Sequence, residues 1–373
     1  MPRLPVVLLL GVMFALGSSP PAAAQSSSPT AALDEIFAEW DRDDGPGLAV
    51  AAIFDGTIIY ERGFGLANVE QGTPITPDTI FRIGSTSKQF TALCIAMLAQ
   101  QGELDLDADI RTWLPELSEE LPVIPLRDLV HHTSGLPDYI GLHMADELGE
   151  GNHLTPSITL ERLARVTELE FPVGSRWSYS NTNYFLMGEI VRRVSGQTLR
   201  EFADEHVFEP VGMEHTHFHD RAAELVPGRA DGYARAPGQA GRPGQPAGAA
   251  GWSKANTTWD HVGDGGVFTT VRDLAQWTTN FDDNKLEGGD ALLELILTPG
   301  TLADGSPHRY AFGLNVDAVG GRKAIHHGGG WVGFTAGMIR FPEERLSVVV
   351  FSNCQAPSDQ LATRLARLLL GDP

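Results

Sequence analysis

The stretch that most limits how this 373-residue chain can fold is one that must be buried on every side. After Lys88 come ten residues without a charge, Gln89-Phe90-Thr91-Ala92-Leu93-Cys94-Ile95-Ala96-Met97-Leu98. Their apolar side chains fall on all faces of a helix rather than in one stripe, so such a helix belongs inside a core. Gly102 follows and suits a left-handed C-cap. At the entrance stand Ser85 and Lys88, one turn apart and therefore on one face. The other three lysines, Lys254, Lys285 and Lys323, lie in polar or Gly-rich text, and only Lys88 leads into a core. An ammonium is costly to bury unless paired, and the usual escape is to release its proton. A neutral amine beside a hydroxyl activates a nucleophile. A lone Ser-x-x-Lys is more often a helix cap with an outward-snorkelling lysine, so its meaning depends on the rest of the chain.

Strand patterns occupy both ends. Gly47 to Phe54 and Thr57 to Gly65 flank Asp55-Gly56, a strong tight-hairpin signal. Near the other end Tyr310 to Val316, Ala324 to His327, Phe334 to Phe341 and Leu346 to Phe351 read as strands, with Gly320-Gly321 and Pro342-Glu343-Glu344 as turns. An amphipathic helix carrying Leu33, Ile36, Phe37 and Trp40 starts the mature chain. A last helix, Ser358 to Leu370, groups Leu361, Leu365, Leu368 and Leu369 on one face. Between the ends, short helical patches dominate, clearest at Leu160 to Leu169 and Tyr184 to Val194. These patterns predict an α+β sandwich: an antiparallel sheet built from both chain ends and flanked by helices, with an inserted, mostly helical subdomain. The α/β part is expected at about 30–104 and 260–373, and the helical part at about 105–259. Within the latter, 236–251 is nearly all Gly, Pro, Ala, Gln and Arg, which predicts a mobile loop. A ligand is expected in the cleft between the two parts.

Arg3, the apolar run Val6 to Leu16 and Pro20-Pro21-Ala22-Ala23-Ala24-Gln25 have the pattern of a secretory leader. Residues 1–24 are therefore expected to be cleaved, leaving a periplasmic or secreted protein of residues 25–373. No later segment reaches ~18 uncharged apolar residues, and no Cys lies near the cleavage site, so no membrane anchor is expected. A formal charge of −21 argues against nucleic acid and anionic membrane surfaces as partners. Cys94 and Cys354 read as small core residues rather than a redox pair, although a bridge between them stays open.

Two further polar clusters carry chemistry. Trp177-Ser178-Tyr179-Ser180-Asn181 follows the Pro172-Val173-Gly174 turn. His326-His327-Gly328-Gly329-Gly330-Trp331 joins a histidine to a glycine run between strand patterns, where bare N–H groups suit a developing oxyanion. In this order and at these separations, Ser85-Thr86-Ser87-Lys88, Tyr179-Ser180-Asn181 and His327-Gly328-Gly329 resemble the three motifs of the serine β-lactamase-like, penicillin-recognising superfamily. The similarity is nearest to class C β-lactamases and the D,D-peptidases and esterases related to them. Leu129-Val130-His131-His132-Thr133-Ser134-Gly135-Leu136, Pro210-Val211-Gly212-Met213 and the Gly265 to Leu274 segment are also similar to family landmarks.

The resemblance implies an exported serine hydrolase acting on amides or esters of a small molecule or peptide, D,D-peptidase-like or esterase-like, and implies no cofactor or metal. Ser85 is then the nucleophile and forms an acyl-enzyme, with Lys88 and Tyr179 moving its proton. Asn181, His327 and Gly329 would contact substrate, and the N–H groups of Ser85 and Gly330 would form the oxyanion hole. His327 stands where class C β-lactamases carry lysine, and histidine is mostly neutral near pH 7, which disfavours the alternative of a true β-lactamase. From another chemical class, His215, His217 and His219 alternate and would share one face of a strand, as a zinc metallohydrolase would need. A non-catalytic binding protein is the third alternative, but no motif is broken. Oligomeric state is not readable from the sequence.

Overall fold

The computed structural model describes residues 30–145, 153–235 and 251–372. The expected leader (1–24), and all of the 236–251 loop except Gly251, lie outside the described residues. Asp55 and Gly56 both adopt positive φ, 50° and 73°, as a type I′ turn requires, and connect β1 (Leu48–Phe54) to β2 (Thr57–Phe64). Four strands follow late in the chain: β3 (Asn315–Val319), β4 (Arg322–Trp331), β5 (Phe334–Phe341) and β6 (Leu346–Ser352). The six form one antiparallel sheet in the order β3-β4-β5-β6-β1-β2. β1 pairs with β6 from Leu48↔Ser352 to Phe54↔Leu346, so both ends of the chain build the sheet.

Four helices matter here: α1 (Lys88–Gln100), α2 (Asn181–Ser195), α3 (Val271–Asn280) and α4 (Ser358–Leu369). Alternation along the central strands feeds two cores. Leu48, Val50, Ala52, Val348 and Val350 pack with Leu361 and Leu365 of α4. Ala49, Ala51, Ile53, Val349 and Phe351 face the larger core around α1. Every residue of α1 from Lys88 to Leu98 is buried, as its all-round apolar text requires.

Several boundaries differ from the sequence reading. Tyr310 makes only an isolated bridge, and β3 begins at Asn315 because Gly313, at φ 72°, wraps the chain over the start of α1. A Cβ on Gly313 would lie 2.4 Å from the Gln89 nitrogen. The helix expected at 160–169 spans Pro156–Leu163, with proline in its first turn, where no N–H is needed. Leu368 is exposed, so the buried face of α4 is narrower than expected. Both cysteines are free thiols, Cys94 buried in α1 and Cys354 half-buried after β6. No described helix is long and apolar enough to cross a membrane.

One local feature positions the site. The last β3–β4 pair is Asn315↔His326, so among the described residues no strand pairs with 327–331 of β4 on that side. The turn Gly84–Ser87 lies against this open edge: a Cβ on Gly84 would sit 2.7 Å from the Gly330 nitrogen, and one on Gly329 would sit 2.0 Å from the Ile83 oxygen.

Candidate active site

Ser85 lies on a one-turn 3₁₀ helix, Gly84–Ser87, that leads into α1 at Lys88. In that tighter helix residues three apart eclipse, which stacks Ser85 beside Lys88. The Ser87 hydroxyl accepts from Val267 N–H at 3.0 Å, and the Thr91 hydroxyl donates to the Gly263 carbonyl at 2.7 Å. These bonds hold the Gly263 to Val267 segment over the start of α1.

Lys88 is fully buried, and its Nζ lies 2.9 Å from Asn181 Oδ1, 2.5 Å from the Asp264 carbonyl oxygen and 3.2 Å from Ser85 Oγ. The orientation of the Asn181 amide is set by Asp138, whose Oδ2 accepts from both Asn181 N–H and Nδ2 at 2.8 and 2.9 Å. Two of the lysine's partners can therefore only accept. An amine at this position would donate to both and turn its lone pair to the Ser85 hydroxyl.

Tyr179 borders the cavity beside Ser85, with its ring centroid 4.8 Å from Lys88 Nζ. Its hydroxyl is buried and has no hydrogen-bond partner among the described residues. The ring is held by His132, 4.4 Å away, and His132 is held in turn by Ser180 N–H and Asn183 Nδ2, which donate to its Nδ1 at 3.2 and 3.1 Å. A backbone N–H can only donate, so the proton of this neutral imidazole resides on Nε2. Burial pushes the His132 pKa well down, keeping the ring neutral.

The cavity beside Ser85 is about 190 Å³ and is also lined by Arg82, Asn181, Asp264, Gly330 and Trp331. Trp331 and Phe334 close a two-residue hairpin between β4 and β5. Such a closing pair is hydrogen-bonded and the pattern alternates along the ladder, so Gly330 turns its N–H away from β5, toward the Ser85 turn. The Ser85 N–H belongs to the first turn of a helix and has no partner within it.

Not every candidate lines this cavity. His327 is buried behind it, its Nε2 3.0 Å from the Tyr310 hydroxyl and its ring centroid 6.4 Å from that of Tyr179. Burial pushes its pKa down to about 3, so it is neutral. Gly329 is pressed against Ile83 and Thr86 and packs the strand onto the nucleophile turn. Neither His327 nor Gly329 lines the cavity beside Ser85: His327 is held by the Tyr310 hydroxyl, and Gly329 is pressed against the Ile83 backbone. His217 Nε2 lies 3.3 Å from His219 Nδ1, but His215 is exposed and faces Asp273, so the three imidazoles do not converge. Among the described residues no cluster of His, Cys, Asp or Glu has the geometry of a metal site.

Sequence reasoning passed over His132, Arg82 and Asp264. His132 lies inside the Leu129 to Leu136 landmark, and Arg82 and Asp264 each lie within three residues of a motif glycine or serine. For Arg82 and Asp264 the available signal was a charge in otherwise apolar or glycine-rich text.

Comparison with known proteins agrees with this architecture. Residues 33–371 match the family model described as Beta-lactamase. The D-aminopeptidase of Gluconobacter oxydans (strain 621H) is 32% identical over 335 residues, covering 89% of this chain and 60% of that protein. The D-aminopeptidase of Brucella anthropi is 30% identical over 330 residues, covering 88% and 60%. The chain thus spans about 60% of the length of these curated relatives. Among solved structures, the octameric penicillin-binding protein homologue from Pyrococcus abyssi superposes with a TM-score of 0.77 at 28% identity, over 91% of this chain and 76% of that one. The D-amino acid amidase from Ochrobactrum anthropi SV3 shares the fold at 22% identity and a TM-score of 0.72, over 91% and 99%. A match over residues 33–371, nearly the whole of the described chain, places this chain in the beta-lactamase family.

Proposed function

We propose that this protein is an exported serine hydrolase that cleaves amide or ester bonds through an acyl-enzyme on Ser85, with D-configured aminoacyl amides and short peptides as its substrates. The observation that carries the reading is Lys88 Nζ, 3.2 Å from Ser85 Oγ, with its two other directions taken by acceptors. Lys88 takes the Ser85 proton as Oγ attacks the carbonyl carbon, and returns it to the leaving amine or alkoxide. Tyr179, whose hydroxyl is unengaged, relays that proton across the cavity. The N–H groups of Ser85 and Gly330 receive the oxyanion, and Asn181 positions both Lys88 and the substrate. Water then releases the acyl group. The substrate class follows from relatives named D-aminopeptidase. Export follows from Arg3, the Val6 to Leu16 run and the small residues ending at Ala24.

The test is a panel of p-nitrophenyl esters, D- and L-aminoacyl amides and a chromogenic cephalosporin on wild type and Ser85→Ala, with intact-mass detection of an acyl adduct. The expected result is turnover of D-amides and esters, an adduct mapped to Ser85, neither in the variant, and little cephalosporin hydrolysis. Turnover that survives Ser85→Ala would sink the proposal.

A further inference from the structure

Two charges in the Ser85 cavity are left incomplete by the protein. Arg82 is 4% exposed, and its Nε and Nη1 are buried without a hydrogen-bond partner among the described residues. It nevertheless lines the cavity together with Ser85. Burial lowers its pKa to about 10, which leaves the guanidinium charged at neutral pH. Asp264 is 7% exposed and lines the same cavity; among the described residues its carboxylate accepts one hydrogen bond, from the Tyr139 hydroxyl at 2.8 Å. Burial raises the Asp264 pKa, as for a carboxylate short of a cation, while the Tyr139 hydrogen bond and the more distant Arg82 act in the opposite sense. Arg82 and Asp264 do not form an ion pair with each other.

Buried charges are costly unless something completes them. Two opposite charges that could relieve each other, but are held apart at the edge of a cavity, favour a ligand that reaches both. A neutral ligand would strand them, a lone ammonium would meet Arg82, and a lone carboxylate would meet Asp264. Lys88 cannot serve instead, because its directions are taken by Ser85, Asn181 and the Asp264 carbonyl. Nor does His327, which is buried, is hydrogen-bonded to Tyr310 and does not line this cavity.

We infer that the cavity accepts a zwitterion, with Asp264 binding an ammonium and Arg82 a carboxylate of one small substrate. The ammonium is the free α-amino group of the acyl residue. The carboxylate is either the C-terminus of the departing residue or an acidic side chain on the acyl residue. This inference rests on the Ser85 acyl-enzyme reading above and narrows it to unblocked substrates.

The experiment measures kcat/KM for D-Ala-D-Ala, its N-acetyl derivative and its C-terminal amide, and compares D-aspartic acid α-amide with D-alanine amide. N-acetylation should lower kcat/KM roughly 10- to 150-fold, the worth of one hydrogen bond to a charged group. A similar loss on C-terminal amidation identifies the departing residue as the carboxylate source. A similar preference for D-aspartic acid α-amide identifies the side chain. Asp264→Asn should collapse the first ratio and Arg82→Gln the carboxylate ratio, with Arg82→Lys restoring part of the latter. Because the wild-type ratios already decide the matter, a variant that fails to fold does not rescue the inference. A flat N-acetyl ratio overturns it, as do flat ratios in both carboxylate comparisons. If p-nitrophenyl acetate acylates Ser85 while those ratios are flat, the inference falls and the hydrolase reading stands. If no ester or amide acylates Ser85, both fall.

Discussion

Gly329→Ala should disable the protein without touching a reacting atom. The added Cβ would sit 2.0 Å from the Ile83 oxygen and 2.9 Å from Thr86 Oγ1, the first a backbone atom that no rotamer change can move. Ordinary contact is roughly 3.5–4 Å for carbon pairs, a little less to oxygen, so strand β4 and the Ile83 to Ser87 turn must part by about 1 Å or more. That displacement separates the Gly330 N–H from the Ser85 N–H, the two proposed oxyanion donors. A misplacement of ~1 Å can cost on the order of 10²-fold in rate, comparable to the ~10²–10³ for losing one oxyanion donor. Overpacking should also cost ~1–3 kcal/mol of stability. Gly328→Ala is the control, because its Cβ meets nothing closer than 3.6 Å. The assay is Ser85 acylation by p-nitrophenyl acetate, followed in single turnover, alongside thermal unfolding. If Gly329→Ala acylates at the wild-type rate and unfolds at the wild-type temperature, the strand–turn contact does not hold the site as described.

Lys88→Met fills the same space without the amine and should slow acylation by ~10²–10⁴ in the same single-turnover assay. Asn353→Ala should lower the urea midpoint, since its side chain joins distant segments, accepting from Gly47 N–H at 2.8 Å and donating to the Leu66 and Asp231 carbonyls at 3.1 and 2.9 Å. Each stranded buried group costs ~1–3 kcal/mol. Burial holds His131 and His261 at about 4 and His327 at about 3. Between there and the ordinary histidine value of ~6.5 the unfolded chain binds protons that the folded chain refuses. Stability should therefore fall as pH drops through that window, with a slope of up to roughly 1.4 kcal/mol per pH unit for each histidine. Urea midpoints at pH 7 and pH 5 check the sign. Exhaustive chelation should leave turnover unchanged, and loss of activity restored by zinc would revive a role for His215, His217 and His219.

What the sequence determined by itself were the features set by local spacing and patterning. The burial of α1, the Asp55-Gly56 hairpin, the sheet built from both ends and the pairing of Ser85 with Lys88 all follow from periodicity, turn chemistry or a three-residue offset. Tertiary structure decided what depends on the approach of distant segments. It hydrogen-bonded His327 to Tyr310, pressed Gly329 against the nucleophile turn, used His132 to brace Tyr179, and turned Arg82 and Asp264 toward one cavity. A helix or hairpin signal is carried by neighbours along the chain, so it can be read from the letters. Whether a side chain lines a cavity or hides behind another depends on how strands and helices far apart in sequence stack, and no local pattern encodes that distance.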